Sequence, residues 1–278
     1  VSHTPDPWQL PWPQRRQATS ALSSLVNRLI LIISAGFIVG LFLLPLAALL
    51  WRSWPAWLAG TWQAPMVGAA LRLSLLTATL TTLLAILIGT PLAYTLARYQ
   101  FRGATLLDVL IDLPMVLPPA VAGVALLVAL GRNGLVGRFL MPLGLELPFT
   151  TAAVVVAQMF VAAPFYIRAA KVGFAEVDFR LEQISATLGE SPLGTFRRVT
   201  LPLARQALFG GAIMTWARAL GEFGATILFA GNLSGRTQTM PLAIYAALQS
   251  DLNVALALAA ILLATSFAVL TLLRVVTR

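Results

Sequence analysis

Cysteine is absent from the 278 residues, and there is a single histidine, His3. Disulfides and thiolate metal sites are therefore excluded, and no histidine cluster can hold a metal or relay protons. Charge is scarce too. Charged residues make up 10% of the chain, whereas soluble globular chains carry about 25%. So few cannot clothe a water-soluble body of this size. Only one lysine is present, Lys171, between Ala170 and Val172. The Gly-Lys-Ser/Thr of a phosphate-binding loop has no counterpart, so any ATP must be bound by another chain. Carboxylates inside apolar runs are also few, with Glu222 the clear candidate, which argues against proton coupling.

What remains is apolar. The chain is 59% hydrophobic with mean hydropathy +0.86, and runs of about 18 or more such residues read as membrane spans. The pattern predicts an all-α membrane protein with six spans, near 26–50, 66–97, 115–130, 150–170, 204–230 and 252–275. The net charge is +9, but the basic residues fall at the ends of apolar runs. They are topology signals and not a nucleic-acid patch.

With the N-terminus inside, Arg15, Arg16, Arg28, Arg98, Arg102, Arg168, Lys171, Arg180, Arg197, Arg198, Arg205, Arg274 and Arg278 face the cytoplasm. Only Arg52, Arg132, Arg138 and Arg236 face out, while Arg72 and Arg218 lie within spans. Both ends are expected in the cytoplasm. Residues 1–25 form a polar tail with Trp8 and Trp12 between prolines, unlike a cleavable signal. No internal repeat and no soluble domain is evident.

The longest interruption of the apolar pattern is cytoplasmic, about 172–203, and holds Glu176, Asp178, Glu182 and Glu190. A connector needs less; a protein partner on the cytoplasmic face is one reading, and a solvated loop, which composition alone favours slightly, is the other. Within it, Leu181 to Leu188 can form a short helix, Gly189 can end it with φ > 0, and Ser191-Pro192 can start a second. A bent pair of helices results, suited to a groove on another protein.

This stretch runs Gln183-Ile184-Ser185, three residues, Gly189, nine residues, Val199, one residue, Leu201-Pro202. It resembles the EAA loop of ABC importer permeases: Glu-Ala-Ala, three residues, Gly, nine residues, Ile, one residue, Leu-Pro. The opening triplet departs from that pattern, and Glu182 stands one position early as a partial substitute. Ala217 to Thr226, Gly231-Asn232, Gly235 to Thr239 and Pro241 to Tyr245 resemble molybdate-type permeases. So do Leu113-Pro114, Leu117 to Pro119 and Gly123. Sulfate and thiosulfate permeases share the Leu-Gly-Glu-Phe-Gly core.

The resemblance implies a type I importer permease, multi-pass in the inner membrane, that carries molybdate or tungstate. A sulfate or thiosulfate permease is the alternative within the fold, and an ion-coupled carrier acting alone is the alternative outside it. It implies no covalent chemistry, and no cofactor on this chain. It further implies a homodimer, two cytoplasmic ATP-binding subunits holding ATP and Mg, and a periplasmic or lipid-anchored oxyanion-binding protein. The ATPase-docking residues would be Glu182, Gln183, Ile184, Ser185, Gly189, Glu190, Val199, Leu201 and Pro202.

Three polar groups in the apolar runs are candidates for a path or for packing. Arg218, Glu222 and Thr226 fall at i, i+4 and i+8, one helical stripe, with Thr215 nearby. A structural ion pair is the favoured reading, since a carboxylate beside an anion route is awkward. Ser74, Thr77 and Thr81 share a face of the second span, where hydroxyls more often bond within or between helices. Pro114, Pro118 and Pro119 suggest an interfacial segment from Ala104, a turn, and then the third span. Asp108 and Asp112 then face the cytoplasmic boundary, where a partner contact is expected.

Overall fold

The computed structural model describes residues 21–58, 60, 65–144 and 146–276, and every regular element among them is helical. The tail with Trp8 and Trp12, and Arg15, Arg16 and Arg278, lie outside the described residues. The chain divides into two units, 1–52 and 53–278.

The first unit consists of most of helix α1 (Ala21–Leu58). Leu29 to Leu44 present large apolar side chains on every face, exposed throughout. A helix that is greasy all round and unburied belongs in lipid.

The second unit begins at the last turn of α1. It continues with α2 (Pro65–Arg98), α3 (Ala104–Val116), α4 (Pro119–Leu130), α5 (Gly137–Leu140) and α6 (Thr151–Glu176). The short α7 (Phe179–Thr187) and α8 (Pro192–Thr195) follow, then a π turn at Phe196–Thr200 and α9 (Leu201–Leu220). Helices α10 (Gly224–Phe229), α11 (Met240–Leu248) and α12 (Leu252–Val276) complete it.

Four helices are long and apolar enough to cross a membrane: Asn27–Leu58, Pro65–Arg98, Thr151–Glu176 and Leu252–Val275, with α3 and α4 a fifth if that bent pair is one span. Of the other two expected spans, the third follows a segment from Ala104 and a turn, as the prolines suggest, and the fifth is interrupted. Leu117 and Pro118 adopt extended backbone, and α3 meets α4 at 118°. Pro118 sits where a continuing helix would need its N–H, so the turn falls there. The fifth expected span, 204–230, is corrected: α9 stops at Leu220 and α10 starts afresh at Gly224.

Helix α6 is the axis of the unit, with α2 and α9 packed against it and against each other. Its buried positions include Ala153, Ala157, Ala162, Ala170 and Gly173, and those facing it include Ala78, Ala85, Ala93, Ala204 and Gly211. Lipid supplies no hydrophobic drive between helices, so close approach over small side chains must supply the attraction. A Cβ on Gly173 would stand 2.4 Å from the Ala207 Cβ, and one on Gly211 2.7 Å from the Ala169 Cβ. Gly224 likewise meets Pro119, whereas Gly210 has no neighbour within reach. Gly173→Ala should therefore cost about 1–3 kcal/mol by overpacking, read as a lower thermal midpoint of the purified protein. Gly210→Ala should leave that midpoint unchanged or raise it slightly, since alanine is the better helix former.

Candidate functional site

Two places gather the polar groups singled out from sequence. The first is the elbow between α6 and α9. Asp178 caps α7 by accepting the Arg180 N–H at 2.9 Å. The helix ends at Leu188, and Gly189 takes φ +88, where its N–H donates to Ala186 O at 3.0 Å. Ser191 then caps α8, accepting the Gly194 N–H at 3.1 Å, with Pro192 as the first helical residue. Two short helices bent at a left-handed glycine are thus dictated locally.

The elbow is braced from inside. The buried hydroxyls of Ser185 and Thr195 lie 2.9 Å apart and tie α7 to the second arm. Glu190 pairs with Arg198 on the surface. Glu182 is 7% exposed, and its Oε1 accepts from Arg98 at 2.8 Å and from the Thr200 hydroxyl at 2.7 Å. Glu182, expected at a docking surface in place of the missing glutamate, is thus engaged within the chain. Its carboxylate points into the protein because a cation from α2 and a hydroxyl from the π turn hold it there. The outward face is instead Gln183, Ile184, Ala186, Thr187 and Leu188, with Leu193 across the bend; Leu188 is 80% exposed. Of the other expected docking residues, Pro202 is exposed and Val199 and Leu201 are partly covered. Beside the elbow lies a cavity of about 380 Å³, lined by Tyr94, Tyr99 and Phe179 among others.

The second place is the break between α9 and α10. Arg218, Glu222 and Thr226 do not form one continuous helical stripe, because the helix is interrupted between the first and the last. Arg218 and Glu222 nevertheless pair at 2.7 Å. The other Glu222 oxygen accepts the Ala225 N–H at 2.8 Å and so caps α10. Glu222 is 1% exposed and spends both oxygens on the protein, while the Arg218 side chain remains 29% exposed. Thr215 donates to Ala162 O at 3.2 Å, across to α6. Thr226 is fully buried, and its hydroxyl has no hydrogen-bond partner among the described residues.

The hydroxyls of α2 are spent on packing. Thr81 donates to Gln158 Oε1 at 3.0 Å, and Gln158 Nε2 donates to Thr77 at 3.2 Å. Ser74 accepts the Met240 N–H at 2.7 Å. Asp108 and Asp112 are also occupied within the chain. Lys171 bonds Asp108 at 2.6 Å, and Arg168 pairs with both carboxylates. These four residues pin α3 to α6, and Asp108 and Asp112 remain partly exposed. Gln158, Arg98 and Thr200 were not singled out as site residues from sequence. A lone glutamine inside an apolar run was a usable signal; Arg98 read only as a topology mark.

A model of the family described as "binding-protein-dependent transport system inner membrane component" matches residues 85–278. The chain is similar to the molybdenum transport system permease protein ModB of Mycobacterium tuberculosis, 43% identical over 220 residues, or 79% of this chain and 83% of the relative. It is also similar to the sulfate transport system permease protein CysT of Salmonella typhimurium, 38% identical over 239 residues, or 84% and 86% of the two chains. Among solved structures, a bacterial ABC transporter involved in import of the acidic polysaccharide alginate aligns with TM-score 0.73 over 93% of this chain and 99% of that one. At 14% identity the likeness is one of fold alone.

Proposed function

This chain belongs to the binding-protein-dependent transport system inner membrane component family, and from that premise we propose that it is the permease of an ATP-driven importer of molybdate or tungstate. The observation that carries the cargo is the 43% identity to a molybdenum permease, above the 38% to a sulfate permease. The chain does no covalent chemistry. Its part is a route and a switch between two arrangements of its helices.

In this reading the elbow centred on Gly189 fits a groove on a cytoplasmic ATP-binding subunit. Apolar Ile184, Leu188 and Leu193 supply contact area, and Gln183 and Thr187 supply polar edges. ATP and Mg reside on that subunit. Two copies of the chain form a homodimer with the path between them, and two ATP-binding subunits dock beneath. A periplasmic or lipid-anchored binding protein delivers the oxyanion to the outer face. Closure of the ATP-binding pair pulls on the two elbows, and α2, α6 and α9 turn the route outward. The Arg218–Glu222 pair is assigned to packing across the α9–α10 break.

The test is uptake by the complete complex in sealed vesicles, using labelled molybdate with unlabelled molybdate, tungstate or sulfate as competitors. Molybdate and tungstate should suppress uptake, and sulfate should not. Suppression by sulfate as strong as by molybdate would favour the sulfate or thiosulfate reading. Uptake by the permease without its ATP-binding subunits would favour a carrier acting alone.

A further inference from the structure

We propose that Arg98, Glu182 and Thr200 form the joint through which movement of the docked elbow is transmitted to α2 and α9. The inference rests on the docking reading above and assigns the load path that it leaves open.

Three separate chain segments meet at one carboxylate oxygen. Arg98 is the last residue of α2, Glu182 lies in the first turns of α7, and Thr200 closes the π turn that leads into α9. Glu182 Oε1 accepts from both of the others, at 2.8 and 2.7 Å. The same Arg98 nitrogen also donates to Val177 O at 2.9 Å, at the junction of α6 and α7. The guanidinium sits 5.9 Å from the centre of the Phe179 ring, another α7 residue. One cation therefore grips the elbow at its root, and one carboxylate grips the helix ends on either side.

The elbow itself is stiff. Ser185 and Thr195 are bonded across the bend, so α7 and the second arm move together. A displacement applied at Leu188 or Leu193 is then passed on rather than absorbed. Where it goes depends on what holds α7 to the spans. The Arg98 and Glu182 side chains are 9% and 8% exposed, so the bond between them is screened much less than a surface pair, although both line the cavity beside the elbow. A flexible surface contact would slip under load, whereas breaking a buried pair leaves an uncompensated charge. Arg98 Nε is buried without an acceptor among the described residues. That spare donor is what a second arrangement of the joint would use.

This role differs from a purely structural one in a measurable way. Replacing a buried pair by apolar residues of similar size is often neutral for stability. The paired variant Arg98→Met with Glu182→Leu therefore separates packing from transmission. It should be tested in the complete complex reconstituted with its binding protein, reading ATP hydrolysis, uptake, thermal midpoint and subunit co-purification. The expected result is an assembled complex with a near-normal midpoint and at least about a fivefold fall in uptake per ATP hydrolysed, a factor within ordinary coupling energies. Thr200→Val, which removes one of the two grips on the carboxylate, should give a smaller fall in the same ratio.

Normal uptake per ATP in the paired variant would overturn the proposal and leave the pair a packing element. Should the paired variant fail to assemble, Thr200→Val decides: an unchanged ratio there also overturns it. Loss of the ATP-binding subunits from a folded Glu182→Gln permease would overturn it differently, by making Glu182 a docking contact. Retention of those subunits by a Gly189→Pro permease would instead strike the docking reading.

Discussion

Gly189→Pro will strip the ATP-binding subunits from the purified permease while the chain still inserts into the membrane. Proline fixes φ near −65°, and residue 189 sits at φ +88. Proline also lacks the N–H that Gly189 gives to Ala186 O at 3.0 Å. The bend cannot survive both losses, so α7 and α8 must part and the outward face formed by Ile184, Leu188 and Leu193 is scattered. Space is not the issue, because a Cβ at 189 would meet nothing within 4 Å. Gly189→Ala therefore pays only the strain of a left-handed backbone, about 1–2 kcal/mol, and should weaken co-purification without abolishing it. The graded series, read by pull-down from detergent extracts, checks the geometry as well as the role. Full assembly of the proline variant would end the case for docking at this elbow.

Glu222→Ala should be the most destabilising single change at the break between α9 and α10. It leaves the Arg218 guanidinium without its partner and the Ala225 N–H without its acceptor. Breaking one side of a buried pair costs about 3–5 kcal/mol, and the partial exposure of Arg218 places this case near about 3 kcal/mol. Glu222→Gln keeps an oxygen for Ala225 and should cost less. Thermal unfolding of the purified complex measures both. Arg218→Met leaves the buried Glu222 carboxylate unpaired, so stability and uptake should fall together. The paired variant Arg218→Met with Glu222→Gln removes both charges and keeps an oxygen for Ala225. If the pair is structural, uptake per folded complex holds in that variant, whereas an anion contact by Arg218 would make it fall.

Much of the architecture was written in the hydropathy pattern. The long spans are legible because their apolar runs carry no charged residue, as at Leu73 to Ile88, and because arginines mark their ends. The elbow is legible because glycine, serine and proline at Gly189, Ser191 and Pro192 each force a local backbone state. The broken span at Gly221–Phe223 was not legible, since periodicity continues straight through it. A helix carrying Arg218, Glu222 and Thr226 at steps of four looks continuous until the carboxylate is seen capping a new helix. The inward turn of Glu182 was hidden for a related reason. Its partners, Arg98 and Thr200, are far away in sequence or across a bend, and neither announces itself by spacing. The same holds for Gln158, whose bonds to Thr77 and Thr81 depend on helices meeting face to face.

The bend at Pro118 also limits reach. Helix α4 has 12 residues, about 18 Å at 1.5 Å per residue, against a hydrocarbon slab of about 30 Å. Its packing partner α10, with six residues, is shorter still. Neither stub crosses that slab alone, so the non-helical backbone that continues each must find its hydrogen-bond partners in protein or water, because lipid offers none.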